Sequence, residues 1–346
     1  MQNNLEADET YTKRNKRKVM LLLILIVLVV AAALLITPLG SGSLGVEEVV
    51  EVILSKIPFL DIETDLFNSA IIWDIRLPRI AMAVVSGIGL ALSGTAMQGA
   101  LRNPLASPFT LGISSAACFG GAVAMFFGAA IAGSGKFAII VTGFLFGLGA
   151  LFLIYAISQR RGASPETVIL CGIALMYMFM AMTSALSMGG MLGFLLWGTL
   201  MESCWVHVQV VFVVLLIVAP LLLIRSWDMN ALALGGDVAQ GVGVNIRKVR
   251  LTSVILATLM VSSIVAFTGL IGFVCLIAPY IAQRLMGNDY RFIYPCAGLI
   301  GALLLLGTDT IAGNMVESME IPVALLTTMI GVPFLLYLAL SRKEWA

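Results

Sequence analysis

Charge is what this sequence has least of. Its 346 residues include 20 Lys and Arg and 19 Asp and Glu, so only 11% of the chain is charged, against roughly 25% in a soluble domain. Sixty per cent is apolar and the mean hydropathy is +1.05, more than the core of a water-soluble monomer can hide. That excludes a soluble enzyme, a disordered chain and a nucleic-acid-binding domain. A net charge of +1 gives no bulk attraction for an acidic or a basic partner. Histidine is reduced to His207, and the cysteines Cys118, Cys171, Cys204, Cys275 and Cys296 never fall at CxxC spacing. This argues against a zinc or haem site, and thiols scattered through apolar runs act as small hydrophobes. No catalytic residue and no metal ligand set is expected.

What is present is a series of charge-free stretches. We expect spans near 19–37, 80–101, 109–132, 137–157, 167–187, 205–224, 251–268, 271–284, 292–308 and 322–340. At about 20 residues per crossing these leave no room for a second soluble domain. The expected fold is therefore all-α, a polytopic protein of the lipid bilayer with about ten transmembrane helices. Residues 1–18 form a cytoplasmic tail ending in Lys13, Arg14, Lys16, Arg17 and Lys18, and residues 19–346 form a single membrane domain. The run from Val19 to Ile36 is long for a signal peptide, and Thr37-Pro38-Leu39-Gly40 is a poor cleavage site.

Cations set the orientation. Sixteen fall on one side: Lys13, Arg14, Lys16, Arg17, Lys18, Arg102, Arg160, Arg161, Arg225, Arg247, Lys248, Arg250, Arg284, Arg291, Arg342 and Lys343. Four fall on the other: Lys56, Arg76, Arg79 and Lys136. The excess marks the cytoplasmic face and puts both termini there. Leu251 to Gln283 is charge-free yet basic at both flanks, so it must turn back near Thr268 to Gly272 and leave a short second arm. Such a broken helix is tolerated only inside protein or along a cavity. The ten cores contain no Asp, Glu, Lys or Arg; only His207 and Asp309 come close. Ion-coupled carriers place ionisable residues at mid-membrane, so the driving energy is expected from elsewhere. Small residues such as Gly87, Gly89, Ala91 and Gly94, or Gly143 and Gly147, allow close helix packing.

Several short motifs stand out. Gly133-Ser134-Gly135-Lys136 lacks the spacing of a phosphate-binding loop, and Gly241-Val242-Gly243 is a lone glycine pair with no preceding strand. Arg76-Leu77-Pro78-Arg79 puts Pro in a helix's first turn and two cations on one face at the outer mouth. They either snorkel to headgroups or dock an acidic external surface. Arg102-Asn103-Pro104-Leu105-Ala106-Ser107-Pro108 breaks a helix between two apolar runs, as an ordinary turn or a constriction of a pathway. Between Asp228 and Asn245, Asn230 is expected to cap a short helix that Gly235-Gly236 ends. Asp237 then caps a second, ended by Gly241 or Gly243. The pair is either a capped surface loop or a surface that a motor pushes. Val46, Val49, Val50 and Ile53 oppose Glu47, Glu48 and Glu51, so Val46 to Trp73 reads as an amphipathic segment on the outer interface.

In order along the chain, these motifs resemble permease subunits of type II ABC importers for iron chelates and cobalamin. The resemblance covers Ile75 to Leu340. It rests on Arg76-Leu77-Pro78-Arg79; Gly89-Leu90-Ala91-Leu92-Ser93-Gly94 with Gln98; and Arg102-Asn103-Pro104-Leu105-Ala106 with Pro108 and Leu111-Gly112. Further along come Trp197-Gly198; Asn230-Ala231-Leu232-Ala233-Leu234-Gly235 with Ala239 and Gly243; Gly272-Phe273 with Pro279; Asp289 with Arg291; and Glu320-Ile321-Pro322 with Gly331 and Pro333. The resemblance implies ten spans, a second permease copy as homodimer or close heterodimer, and one pathway on the twofold axis. It implies two cytoplasmic ATPase subunits, which hold the ATP and Mg, so that this chain binds no cofactor. It also implies an external binding protein delivering the ligand.

By the same resemblance, Arg76 and Arg79 dock the binding protein. Asn230, Ala231, Leu232, Leu234, Gly235, Gly236, Asp237, Ala239 and Gly243 couple to the ATPase. Asn103, Pro104 and Leu105, with Ser164, Pro165, Glu166 and Thr167, form the cytoplasmic gate; the latter loop could equally be a simple turn before a helix. Uncharged residues such as Ser184, Met188 and Thr327 would line the pathway. Two departures stand out. Gly313 replaces the arginine often found four residues after the aspartate of the ninth span, and Tyr280 and Tyr290 replace family histidines. The rival functions are an ion-coupled secondary transporter, opposed by the charge-free cores, and an intramembrane enzyme, for which His207 has no catalytic partner in the sequence.

Overall fold

The computed structural model describes residues 2–39, 45–55, 65–131, 135–160, 165–187, 196–315 and 321–340. Helix is the only regular structure among them, as expected where backbone polar groups must be satisfied without water. In chain order the helices are α1 (Gln2–Ile36), α2 (Val46–Ser55), α3 (Leu66–Ala70), α4 (Leu77–Leu101), α5 (Ile113–Ile131), α6 (Gly135–Arg160) and α7 (Pro165–Leu186). After them come α8 (Trp205–Ile224), α9 (Ser226–Leu234), α10 (Gly236–Gly241), α11 (Ile246–Thr268), α12 (Val274–Met286), α13 (Tyr290–Asn314) and α14 (Val323–Leu340). Among the described residues seven helices are long and apolar enough to cross a membrane. Three shorter apolar helices, Ile113–Phe127, Val274–Met286 and Val323–Tyr337, accompany them. Each of the ten overlaps one expected span.

The core is built on α4. From Met82 to Ala100 nearly every residue of α4 is buried, against α13 along most of its length and against α11, α12 and α8. Glycine sets these distances. A Cβ on Gly87 or on Gly301 would land on the other's carbonyl oxygen, and one on Gly94 would land on the carbonyl of Cys275. Two buried hydroxyls of α4 fold back onto their own helix: Ser93 donates to the Gly89 carbonyl and Thr95 to that of Ala91, each at 2.8 Å. Such bonds satisfy these two donors within the apolar core. Cys118 and Cys296 are buried in the apolar core, in keeping with their reading as small hydrophobes, and Cys275 is buried as well. The outer wall, mainly α1, α6, α7, α8 and α14, exposes apolar faces.

The hairpin required by the charge count is present. α11 ends at Gly269, which adopts φ 68°, and the chain runs non-helically to α12. α12 starts beside Gly94, about 25 Å along α4 at 1.5 Å per residue. It therefore begins well inside the bundle, and its first six residues, Val274 to Pro279, are buried. Residues 196–204 brace the same break: Thr199 donates to the Thr268 carbonyl at 2.8 Å and Ala324 to the Gly198 carbonyl at 3.2 Å.

Two expectations are corrected. Span 80–101 starts too late: a π turn over Ile71–Arg76 joins α3 to α4, so one helical path runs from Leu66 to Leu101. Trp73 thus belongs to that path and not to an interfacial segment; its carbonyl accepts from Trp205 Nε1 at 2.8 Å. In α2, Val49 and Val52 pack on Ile72 while Val46 and Val50 are exposed, because the extended α3–α4 path supplies a protein partner for that face. α1 itself runs without a break through residues 2–36.

Overpacking a close helix contact costs about 1–3 kcal/mol. Gly301→Val should therefore lower the melting temperature of the purified protein by several degrees. Gly307→Ala on the same helix, where a Cβ meets nothing within 4 Å, should leave it unchanged.

Candidate functional site

At the basic end of the bundle α9 and α10 form a short helical pair. Gly235, at φ 135°, closes α9 and opens α10, and Gly243, at φ 83°, follows α10. Ser226, Met229, Leu232 and Ala239 face inward. Outward, Leu234 is 74%, Val238 47% and Val242 66% exposed, with Asp237 beside them. The pair thus presents three apolar side chains outward at this end.

Asn230 does not cap α9, as its position before an apolar run suggested. It lies in the middle of that helix, and its amide reaches sideways. Nδ2 donates to Asp289 Oδ1 at 3.0 Å, and Oδ1 accepts from the Tyr290 backbone N–H at 2.7 Å. Likewise Asp237 sits in the first turn of α10, whose cap is Gly235. Both helices start earlier than local cap signals indicated, because α8 runs into α9 with only Arg225 between them.

Asp289 is the hub of this end. It caps α13 by accepting from the Arg291 N–H at 3.1 Å, and the Arg291 guanidinium grips its carboxylate with contacts of 2.6 and 3.0 Å. The same guanidinium lies 4.3 Å over the Trp227 ring of α9. Partial burial pushes the Asp289 carboxyl up. The hydrogen bonds from Arg291 and Asn230, with the Arg291 charge, outweigh burial and hold it down at about 2. Nothing in the sequence marked this cluster, since Asn230 and Asp289 are 59 residues apart; only the Asp-Tyr-Arg start of an apolar run was a local sign of a helix cap.

The loop after α4 is stiff. Arg102 adopts φ 50°, and Asn103 Oδ1 accepts from Leu105 N–H at 2.9 Å. Ser107 and Thr110 bond each other through backbone and side chain, and Thr110 Oγ1 donates to the Leu105 carbonyl at 2.9 Å. Pro104 is half-buried within this turn. The loop is braced on α7: a Cβ on Gly172 would meet the Thr110 carbonyl at 2.6 Å, and one on Gly112 that of Gly172 at 2.7 Å. The contact is made by Thr110 to Gly112 and not by the residues expected to gate, Asn103 to Leu105 and Ser164 to Thr167. Thr167 is the third residue of α7. Ser164 lies outside the described residues, as do the side chains of Pro165, Glu166 and Lys136. Lys56, Gly133, Ser134, Arg161, Met188, Glu320, Arg342 and Lys343 also lie outside them. Of the other suggested lining residues, Ser184 is exposed, whereas Thr327 is buried with its hydroxyl on the Ala324 carbonyl at 3.1 Å.

At the opposite end the two arginines have different partners. Arg76 is 9% exposed and donates to the carbonyls of Thr37 and Pro38 at 2.9 and 3.2 Å, closing the end of α1. Arg79 forms a two-pronged ion pair with Asp309 of α13, at 2.9 and 3.0 Å, and the paired side chains are 18% and 10% exposed. Gly313 lies against the same guanidinium, 3.4 Å from where its Cβ would be. His207 stacks on Phe267 at 4.4 Å. Among the described residues no three His, Cys, Asp or Glu gather as a metal site.

Such a chain, whose regular structure among the described residues is all helical and which carries a short helical pair at one end of an apolar bundle, has the form of a membrane permease. From residue 15 to 341 it matches the model of the FecCD transport family, and it belongs to that family. It is 34% identical to the hemin transport system permease HmuU of Yersinia pestis, over 90% of this chain and 94% of that one. It is 33% identical to the molybdate import permease MolB of Haemophilus influenzae, over 88% and 91%. A solved metal-chelate type ABC transporter in an inward-facing conformation superimposes with a TM-score of 0.77 at 32% identity, covering 92% of this chain and 98% of that one. The protein is therefore a multi-pass plasma-membrane permease subunit of an ABC importer and not an enzyme, with ATP hydrolysis on separate subunits.

A carboxylate held below its ordinary range stabilises the fold fully above about pH 4 and loses that contribution as pH falls through its folded value. Asp289→Asn should lower the melting temperature at pH 7. The gap between variant and wild type should narrow from about pH 4 toward pH 2, the folded value of Asp289. A gap independent of pH would show that the ionised carboxylate is not what holds α9.

Proposed function

We propose that this permease takes up an iron chelate, siderophore or haem, or cobalamin, handed over by an external binding protein. Two copies of the chain pair around one pathway, and two ATPase subunits with their ATP and Mg drive alternating access. The observation that carries this reading is the α9–α10 surface. Leu234, Val238 and Val242 project from it, while Asn230 fastens it to α13. A surface both apolar and anchored can receive a push and pass it on; a loose loop would absorb it. Leu232 and Ala239 root the pair, Ala231 and Gly236 are half-buried in it, and Asp237 and Gly243 lie on its outer side.

In this reading the ten apolar helices all cross the membrane and both termini are cytoplasmic. Residues 1–18 lead into one membrane domain, 19–346. The stiff turn Asn103-Pro104-Leu105 and the residues Ser164 to Thr167 close the inner end. Arg76 and Arg79 receive the binding protein: Arg76 by fixing the ends of α1 and α4 together, Arg79 through its partly exposed charge beside Asp309. Relatives that carry hemin and molybdate make the cargo the point to test.

In proteoliposomes the permease alone should neither hydrolyse ATP nor take up solute. With its ATPase and binding protein, ATP should drive uptake of one of ferric siderophore, haemin or cobalamin, and molybdate should fail. Molybdate uptake would move the cargo to an oxyanion, and uptake by the bare permease on a proton or sodium gradient would overturn the importer. Arg79→Gln leaves Asp309 negative at the mouth. It should slow binding-protein association about tenfold at low ionic strength, with the deficit shrinking as salt rises; unchanged association would remove Arg79 from docking.

A further inference from the structure

α13 carries one carboxylate near each end. Asp289 caps it at the basic end, and Asp309 stands 20 positions later. At 1.5 Å per residue they are about 30 Å apart, the thickness of a bilayer's hydrocarbon core. Each holds a side chain from another element. Asp289 holds Asn230 of α9 at 3.0 Å. Asp309 holds Arg79 of α4 by two bonds of 2.9 and 3.0 Å. Between these ends Gly87 and Gly301 seat α13 against α4 with no side chain between the backbones. Close-packed helices of this kind shift as units and do not deform continuously. A movement of Arg79 is therefore carried by α13 to Asp289, and from there to α9.

We propose that α13 is a strut that keeps the ATPase-facing helix α9 in register with the binding-protein end of the molecule, with Asp289 and Asp309 as its positioning residues. This deepens the proposed function and rests on it. The strut differs from two unrelated structural contacts in one respect: cutting either end disconnects the same element. The second cut then adds little to the first, whereas independent contacts give independent losses.

The test uses the full complex of permease, ATPase and binding protein in liposomes. The quantity read is the ratio of ATP hydrolysis with binding protein to hydrolysis without it. Asp289→Asn and Asp309→Asn should each reduce that ratio about fivefold or more, with uptake falling in parallel. The double variant should be no worse than the poorer single. A ratio preserved in either single variant, or losses that multiply in the double, would overturn the strut. A wild-type complex without ATP-driven uptake would instead sink the proposed function, and the strut with it. Should a variant fail to accumulate, hydrogen exchange in the wild-type complex decides. Adding binding protein should change exchange at residues 226–234 and 289–293, and unaltered exchange there overturns the proposal.

Discussion

The contact between Gly87 and Gly301 is the one from which the rest of the structure is laid out. With no side chain at either position, α4 and α13 meet backbone to backbone, and α11, α12 and α8 pack around that pair. In lipid there is no hydrophobic force to press helices together, since their surroundings are as apolar as they are; close approach through small residues replaces it. The consequence is a rigid central slab. Every other feature with a functional bearing attaches to it: the arginine end to the start of α4, the stiff turn to its finish, and α9 to the cap of α13.

Scarcity of charge explains how those attachments are made. An ionised group near a bilayer is costly unless paired, and three arginines of this chain are held by specific partners. Arg79 meets Asp309, Arg291 meets Asp289, and Arg76 is taken by two carbonyls at the end of α1. Each pairing joins two segments or caps a helix. At these three places the scarce charge of the chain therefore pins a helix end or a helix pair.

This also decides what was legible in the sequence. Apolar length located each helix, and the basic flanks of 251–283 required the break between α11 and α12. Hydropathy could not see the π turn at Ile71–Arg76, because a π turn is a change of hydrogen-bond register with no compositional mark. It follows that the start of the α4 path was placed too late. The α9–α10 pair was legible from Gly235, whose φ of 135° no side chain tolerates well. The role of Asn230 was not, since an Asn before an apolar run signals a cap and its actual partners lie 59 and 60 residues away. The Arg79–Asp309 pair spans 230 residues. Long-range pairs of this kind leave no local trace, so the motif residues were visible while the bonds that give them meaning were not.

The two strained residues fall at the two breaks in the helical core. Arg102 and Phe273 are the described non-glycine residues with positive φ, at 50° and 64°, a conformation costly for any side chain with a Cβ. Phe273 adopts it where the chain enters α12, and its ring is received by Gly331, where a Cβ would collide with it, and by Phe109 at 6.2 Å. Phe109 belongs to the turn that Arg102 begins. The strained entry of one broken segment therefore rests on the other, and Gly272, Phe273 and Gly331, separate motifs along the chain, are parts of one contact. Backbone strain persists where the surroundings over-determine it. Here they do so where the two broken segments meet, so the ring contact between Phe109 and Phe273 braces both turns.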